Sequence, residues 1–528
     1  QKAYVPLASA SLARPLVTIL VAGGAVLAAV AWIPHLGVQF FPSADRNQFF
    51  VAVNAPEGTD IARTERIVER VEELLAREDG IAAFGSFIGA GAPRFYYNVL
   101  AEQPKSSYAQ ILVQTTDIAT ANRLVDELRR TATATIAGAR IDVKRLEQGP
   151  PVGSPIQIRL SGEDPTALAQ TSQRLQTILA GIPGAVGVRD SLGVPATKLV
   201  ARIDEDRAAL AGVDDASIEQ LASLAFGGVT ATEIREPDRQ TPVIVRLPAA
   251  MRSNADALGS LAVRNASGQP VPLGEVATIV PATQTSVSTL RDGLPTVSVL
   301  ADVQGRLASA VLDDFKHAER GVSIPAGVTV AYAGEDEQTV KSFRNLAVAL
   351  VVGLLINQMI LLWEFRQLRL SLVVLTAVPL ALVGAVLGLA ITRNHFGFVA
   401  SLGISSLGGI VTNHAIVLFE YAKRELAQGL PMERALIVAG TKRLRPILLT
   451  VVASVAGLLP LAFSSQTLWR PFCWAVIFGL SGSMLMPLVA IPAIYRLAAG
   501  KGETGHDDAD PAPRARLDWE SERVPAHG

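Results

Sequence analysis

His414 lies where a charge is costly. It sits inside the stretch 396–419, which holds no Asp, Glu, Lys or Arg. An ionisable group in such a run is a functional candidate, because apolar surroundings penalise its charged form. Histidine titrates near physiological pH and could shuttle a proton; the bland alternative is a neutral ring packed among its neighbours. A second candidate is a cluster of aromatics, Phe84, Phe87, Phe95, Tyr96 and Tyr97, around the glycine-rich run GSFIGAGAP (85–93). Aromatic side chains offer large, adaptable apolar contact, which suits a ligand pocket. Read as a strand, Phe95 and Tyr97 share one face and Tyr96 takes the other. Other chemistries drop out. No GxxxxGK[ST] loop and no GxSxG occurs. The six histidines are scattered, and one cysteine excludes a disulfide framework and a Cys-based zinc site. The expectation is a non-enzyme without cofactor or resident metal.

The elements that position these residues are mostly apolar. The chain has 528 residues, 49% of them hydrophobic and 18% charged, with net charge −1. That excludes a disordered chain and gives no basic footprint for nucleic acid. Six stretches free of charged residues, 15–34, 345–363, 370–392, 396–419, 446–468 and 471–495, are 19 to 25 residues long. About 20 residues of helix cross a bilayer core. The first stretch is longer than the apolar core of a signal peptide, so a permanent span is expected. Counted over the short loops and residues 1–14, ten Lys or Arg fall on one side (residues 1–14 and loops 364–369 and 420–445) against two, Arg393 and Arg470, on the other. The positive-inside rule puts the richer side in the cytoplasm and residues 35–344 outside.

That outer region repeats. Four segments read strand–helix–strand: 49–88, with its helix at 60–76; 108–145, with 117–131; 156–190, with 165–180; and 295–333, with 306–318. Paired, they make two split βαβ subdomains. The first covers 35–152 and the second 153–192 and 283–335. A block at 193–282, with helices at 206–211 and 215–225 and strands at 242–247, 261–264 and 276–281, is inserted. Residues 1–14 are expected as a cytoplasmic segment and 500–528 as a disordered cytoplasmic tail. The fold class is an α-helical membrane protein, six spans arranged one plus five, with a large outer α+β region.

Several runs resemble the resistance–nodulation–division (RND) efflux transporters. They are GVQFFPSADRNQFFVAVNAPEGTD (37–60), GAPRFYY (91–97), PVPLGEVATI (270–279), EFRQLRLSLVVLTAVPLALVGA (364–385), GGIVTNHAIVLFEYAKRE (408–425), TKRLRPILLT (441–450) and GLLPLAF (457–463). The resemblance covers nearly the whole chain, in order, and corresponds to the second half of the family's twelve-span architecture. It implies ferredoxin-like porter subdomains, an inserted docking subdomain, an inner-membrane location and a homotrimer. It also implies as partners an N-terminal half carrying paired aspartates, a periplasmic adaptor, an outer-membrane channel and lipophilic small molecules, with export driven by the proton gradient. In the relay that it implies, Asn413 faces those aspartates, His414 replaces a usual Asn, and Arg443 and Thr450 follow two turns apart on one helix. It places Phe84 and Phe87 near a switch loop and Arg189 at a cleft. The hydrophobe/amphiphile branch is expected over the metal-exporting one, because soft Cu(I) sites need clustered Met or Cys. Here Met251, Met359, Met432, Met484 and Met486 are spread out. A rival of another class is a membrane scaffold or sensor half that does not transport. Asn357 and Gln358 are expected to face protein, Gly384 and Gly388 to allow close helix packing.

Overall fold

A computed structural model describes residues 4–193, 196–237, 239–252, 255–284 and 288–499. The expected tail 500–528 lies outside the described residues. The chain forms two units, 1–42 with 339–528, and 43–338. It opens with α1 (Tyr4–Ala13), α2 (Pro15–Trp32) and the two-residue β1 (Val38–Gln39).

In the second unit the first subdomain is β2 (Gln48–Asn54), α3 (Ile61–Leu75), β3 (Ile81–Ile88), β4 (Tyr108–Thr115), α4 (Ile118–Thr135) and β5 (Arg140–Arg145). The strands lie in the order β3-β4-β2-β5, all antiparallel. α3 forms because Ile67, Val68, Val71 and Leu75 recur at helical spacing and are all buried. α4 starts where the Asp117 carboxylate accepts the Thr120 N–H, satisfying a donor that the first turn leaves open. Both helices close over Phe49, Val51, Val53, Ile111 and Val113. Each such side chain contributes about 1.5–3 kcal/mol by leaving water.

The second subdomain repeats the plan with β6 (Ile156–Ser161), α5 (Pro165–Ala180) and β7 (Ala185–Asp190). The inserted block follows: β8 (Ala196–Ile203), α6 (Glu205–Ala211), α7 (Asp215–Ala222), β9 (Val229–Arg235), β10 (Gln240–Val245), α8 (Ala249–Arg252), α9 (Ala255–Gly259), β11 (Ala262–Arg264), β12 (Pro270–Pro272), α10 (Leu273–Val276) and β13 (Ala277–Gln284). Its first and last strands, β8 and β13, pair antiparallel from Ala196↔Gln284 to Ile203↔Ala277. Neither β8 nor β9 was expected, and the block reaches two residues past 282. β9 is exposed along its whole length and lacks the half-buried alternation that marks a strand in sequence. Then come β14 (Thr289–Arg291), β15 (Leu294–Val303), α11 (Ala308–Glu319) and β16 (Thr329–Gly334). β15 pairs with β6 on one edge and with β7 and β14 on the other, and β16 closes the far side of β6.

The helical unit is completed by α12 (Glu335–Phe365), α13 (Leu368–Leu375), α14 (Ala377–Ile391), β17 (Phe396–Gly397), α15 (Phe398–Ala427), α16 (Met432–Ala462) and α17 (Arg470–Ala499). Among the described residues five helices are long and apolar enough to cross a membrane, or six if the bent α17 counts as one span. The apolar windows of α2 and α12 are 6% buried, that of α13–α14 61%. α14 packs on α17 through glycines: a Cβ on Gly384 would fall on the Phe478 carbonyl and 3.2 Å from the Gly479 and Gly482 Cα atoms. This is the close approach that small residues permit.

Two expectations change. The segment 420–445 is not a loop: α15 runs to Ala427, and α16 starts at Met432. A charge-free run marks only the apolar part of a helix, and the backbone goes on hydrogen-bonding beyond it. Residues 4–13 are likewise a helix, with Ala8 and Leu12 buried and the Tyr4 hydroxyl donating to the Leu488 carbonyl at 3.2 Å.

Candidate functional site

Two clusters concern function, one in each unit. In the bundle, α15 places Asn413 on an exposed face. Its neighbour Thr412 is buried, donates to the Gly408 carbonyl at 2.6 Å and accepts from Asn357 Nδ2 at 3.0 Å. Gln358 donates to Ser371 Oγ at 2.7 Å. Both amides of α12 thus bond to neighbouring helices. His414, about 100° further round the helix, is half-buried. It lines a small cavity with Ile447, Ser483, Met484, Pro487 and Leu488, and its Nδ1 has no hydrogen-bond partner among the described residues. Thr450 is exposed, its hydroxyl donating to the Ile447 carbonyl at 2.9 Å. Arg443 stacks its guanidinium 4.7 Å over the Tyr421 ring and leaves Nε unpaired. Next to it, Lys442 pairs at 3.0 Å with Glu425, whose side chain is only 8% exposed. Asn413 and Thr450 therefore lie on exposed helix surface, while His414 packs inside against the turn of α16 that holds Ile447. The Lys442–Glu425 pair had no signal in the sequence, because it spans the α15–α16 turn.

In the other unit the aromatics are less concentrated than expected. β3 pairs Phe84 with Val113 and Phe87 with Gln110. Ser86 Oγ donates to Glu72 on α3 at 2.5 Å, so even positions of β3 face the helices. Phe84 is on that side, 39% exposed, and Phe87 is on the opposite face. Residues 91–100 are irregular and not a strand, so alternation does not apply to Phe95 and Tyr97. Side-chain bonds hold the loop instead. The Ala92 N–H donates to Gln110 Oε1 at 2.7 Å, and the Gly149 N–H to the Tyr97 hydroxyl at 2.9 Å. Tyr96 and Tyr97 lie 4.7 Å apart, ring to ring. Burial, then the hydrogen bond to Tyr97, pushes the Tyr96 phenol up to about 12.

Arg189 is engaged. It pairs with Asp302 at 3.3 Å and donates to Ser154 Oγ at 2.6 Å and to the Gly187 carbonyl at 2.8 Å. The Asp302 partnership, 113 residues away in sequence, follows only from the β7–β15 pairing. Nearby, Arg129 joins the two subdomains: Nε donates to the Val143 carbonyl on β5 at 2.7 Å and Nη1 to the Val303 carbonyl on β15 at 3.4 Å. Burial pulls the Arg129 guanidinium below its usual value, opposed by Asp302. Among the described residues no three His, Cys, Asp or Glu side chains gather as a metal cage.

The sequence profile of the AcrB/AcrD/AcrF family matches residues 1–499. The chain belongs to this family. It is an RND permease chain, and the family is one of transporters, not enzymes. The chain is 26% identical to the cobalt-zinc-cadmium resistance protein CzcA of Cupriavidus metallidurans, over 97% of this chain and 50% of that protein. It is 27% identical to the multidrug resistance protein MdtC of Erwinia amylovora, over 86% of this chain and 44% of that one. The crystal structure of a heavy metal efflux pump superposes with a TM-score of 0.74 at 21% identity, covering 94% of this chain and 51% of that chain. This last likeness establishes the RND pump fold. The RND chain spans about half the length of the curated relatives it matches. The expected hydrophobe/amphiphile branch is not where the fuller matches fall: CzcA, matched along nearly the whole chain, is named for metal resistance.

Proposed function

We propose that this RND chain forms one half of a gradient-driven efflux permease whose cargo is a divalent transition-metal cation. The supporting observation is the match to CzcA along 97% of the chain. On this reading the chain works beside a second half that supplies the carboxylates its own apolar spans lack, in a homotrimer with a periplasmic adaptor and an outer-membrane channel. It lies in the inner membrane with 43–338 in the periplasm, and protons moving inward drive the export. Asn413 and Thr450, exposed on α15 and α16, are the groups that would meet the second half; Arg443 sits one turn beyond Ile447 at the end of that path. A transported ion must bind weakly enough to leave.

A second reading keeps lipophilic drugs as cargo. It is favoured by the exposed aromatics Phe84 and Tyr97 and by the match to MdtC. One experiment separates the two. Cells deleted for the native gene and complemented with it are scored for tolerance of Co2+, Zn2+ and Cd2+ and of a panel of apolar drugs. Metal tolerance restored without drug tolerance supports the cation reading. The reverse result supports the drug reading, and rescue of neither supports a scaffold.

A further inference from the structure

The positive-inside bias leaves the short loops at one end of the helical unit poor in cations. Of the twelve Lys and Arg in residues 1–14 and in the short loops between spans only Arg393 and Arg470 are at that end, where Lys341 and Arg344 also enter the helical unit on α12. Arg393 and Arg470 line the same pocket. Its wall comes from three connections. Gln39, Phe40 and Pro42 follow α2; Arg393, Asn394, His395 and Gly397 join α14 to α15; and Thr467, Leu468 and Arg470 join α16 to α17. The β1–β17 pairing, Val38↔Phe396 and Gln39↔Gly397, holds the first two together. His395 Nδ1 bonds the Leu36 carbonyl at 2.9 Å and ties the same two connections again.

The pocket is cationic in every respect that the geometry offers. No Asp or Glu lines it. Neither arginine has an ion-pair partner among the described residues. Two long helices begin at its wall, α15 through Gly397 and α17 through Arg470, and helix N-termini add positive partial charge and open N–H donors. Gly397 provides no side-chain cap to α15. The cavity is about 170 Å³, several times the roughly 30 Å³ share of one water molecule. Around this end Trp32 and Trp469 are exposed. Amphipathic aromatics at a span end mark the level of lipid headgroups.

We propose that this pocket binds a phosphate ester, supplied by the headgroup of a membrane phospholipid. Arg393 and Arg470 supply the charge-assisted hydrogen bonds, and Leu468 and Phe40 the apolar contact. Bound between three inter-helix connections, the lipid acts as a cement at one end of the bundle.

The test uses the full chain in detergent micelles, doped in turn with phosphatidylglycerol, with diacylglycerol, which lacks the phosphate, and with inorganic phosphate alone. Retained molecules are read by native mass spectrometry. Phosphatidylglycerol should be kept and diacylglycerol lost. Arg393→Gln and Arg470→Gln should each weaken retention about tenfold, as loss of one hydrogen bond to a charged group does. Leu468→Glu, which keeps both arginines but adds a carboxylate to the wall, should do the same. The control is Arg366→Gln, at the opposite end and in the same left-handed backbone conformation as Arg393; it should change nothing. Displacement of the lipid by millimolar inorganic phosphate, with the same dependence on the two arginines, would support the phosphate site and overturn the lipid as its source. Equal retention of diacylglycerol, or retention unchanged in the double arginine variant, would overturn the proposal.

Discussion

Arg189→Ala removes one partner of an ion pair whose side chains are 10% and 14% exposed. Breaking a buried pair by deleting one member costs roughly 3–5 kcal/mol, because the other charge stays buried without compensation. Two features lower that figure here. Neither side chain is fully enclosed, and Arg129 remains in the field of Asp302. A loss of about 2–3 kcal/mol follows. The variant Arg189→Met/Asp302→Leu removes both charges and keeps most of the volume, so it should be at least about 1 kcal/mol more stable than Arg189→Ala. The five tryptophans (32, 363, 469, 474 and 519) all lie outside 43–338, so their emission does not report on this unit. Hydrogen exchange of the β7 and β15 amides in the detergent-solubilised chain does. Protection should fall by roughly 30- to 150-fold, at 1.4 kcal/mol per tenfold. Unchanged protection in Arg189→Ala, together with loss of export by the assembled permease, would refute this reasoning and give the arginine to the cargo.

Gly384→Ala should cost about 1–3 kcal/mol, since its methyl meets backbone, whereas Gly409→Ala, with nothing within 4 Å, should be neutral; resistance to protease of each variant in micelles measures the difference. A phosphatase reporter fused within 200–210 should be active and one at 428, in the turn between α15 and α16, silent; the opposite pattern would invert the topology. Hydrogen bonds from the Thr120 hydroxyl and N–H, and from Thr116, hold the Asp117 carboxyl below the usual carboxylate range. A lowered folded value means stability that is present above about 3.9, the unfolded value, and lost as pH falls through the folded one. Asp117→Asn should flatten that acid dependence of α4 amide exchange, and an unaltered profile would contradict it. Phe87→Ala and Phe84→Ala, on opposite faces of β3, should have separable effects; identical shifts in the tolerance profile of cells carrying the whole permease would argue for a shared pocket.

The regular elements were legible where burial imposes a period. The helix expected at 60–76 is Ile61–Leu75, and the strand at 156–161 is found as such, because each has one face in water and one in a core. Legibility failed where neither condition held. β9 has no buried face, residues 91–100 are held by side-chain bonds rather than by a ladder, and the first half of α16 is too charged to read as part of a span. For the candidate site, charge-free runs exposed His414 and the half-buried amides Asn357 and Gln358. They could not tell that Asn413 is exposed while His414, the next residue, is half-buried, because burial depends on the packing of α15 against α16 and α17. Cargo was least legible. Sparse methionines argued against soft-metal cages, but a transit path needs no cage.

The β8–β13 ribbon has a consequence for how this permease can diversify. Its eight paired positions bring the two ends of the inserted block side by side, from Ala196 beside Gln284 onward. The chain therefore enters and leaves the block side by side, as at the base of a hairpin. Lengthening, trimming or exchanging what lies beyond Ile203 and Ala277 leaves the host ladder of β6, β7, β15 and β16 in register, and loop closure grows only slowly with the length enclosed. The block can thus change by grafting while the α/β ladder that carries it stays under separate selection.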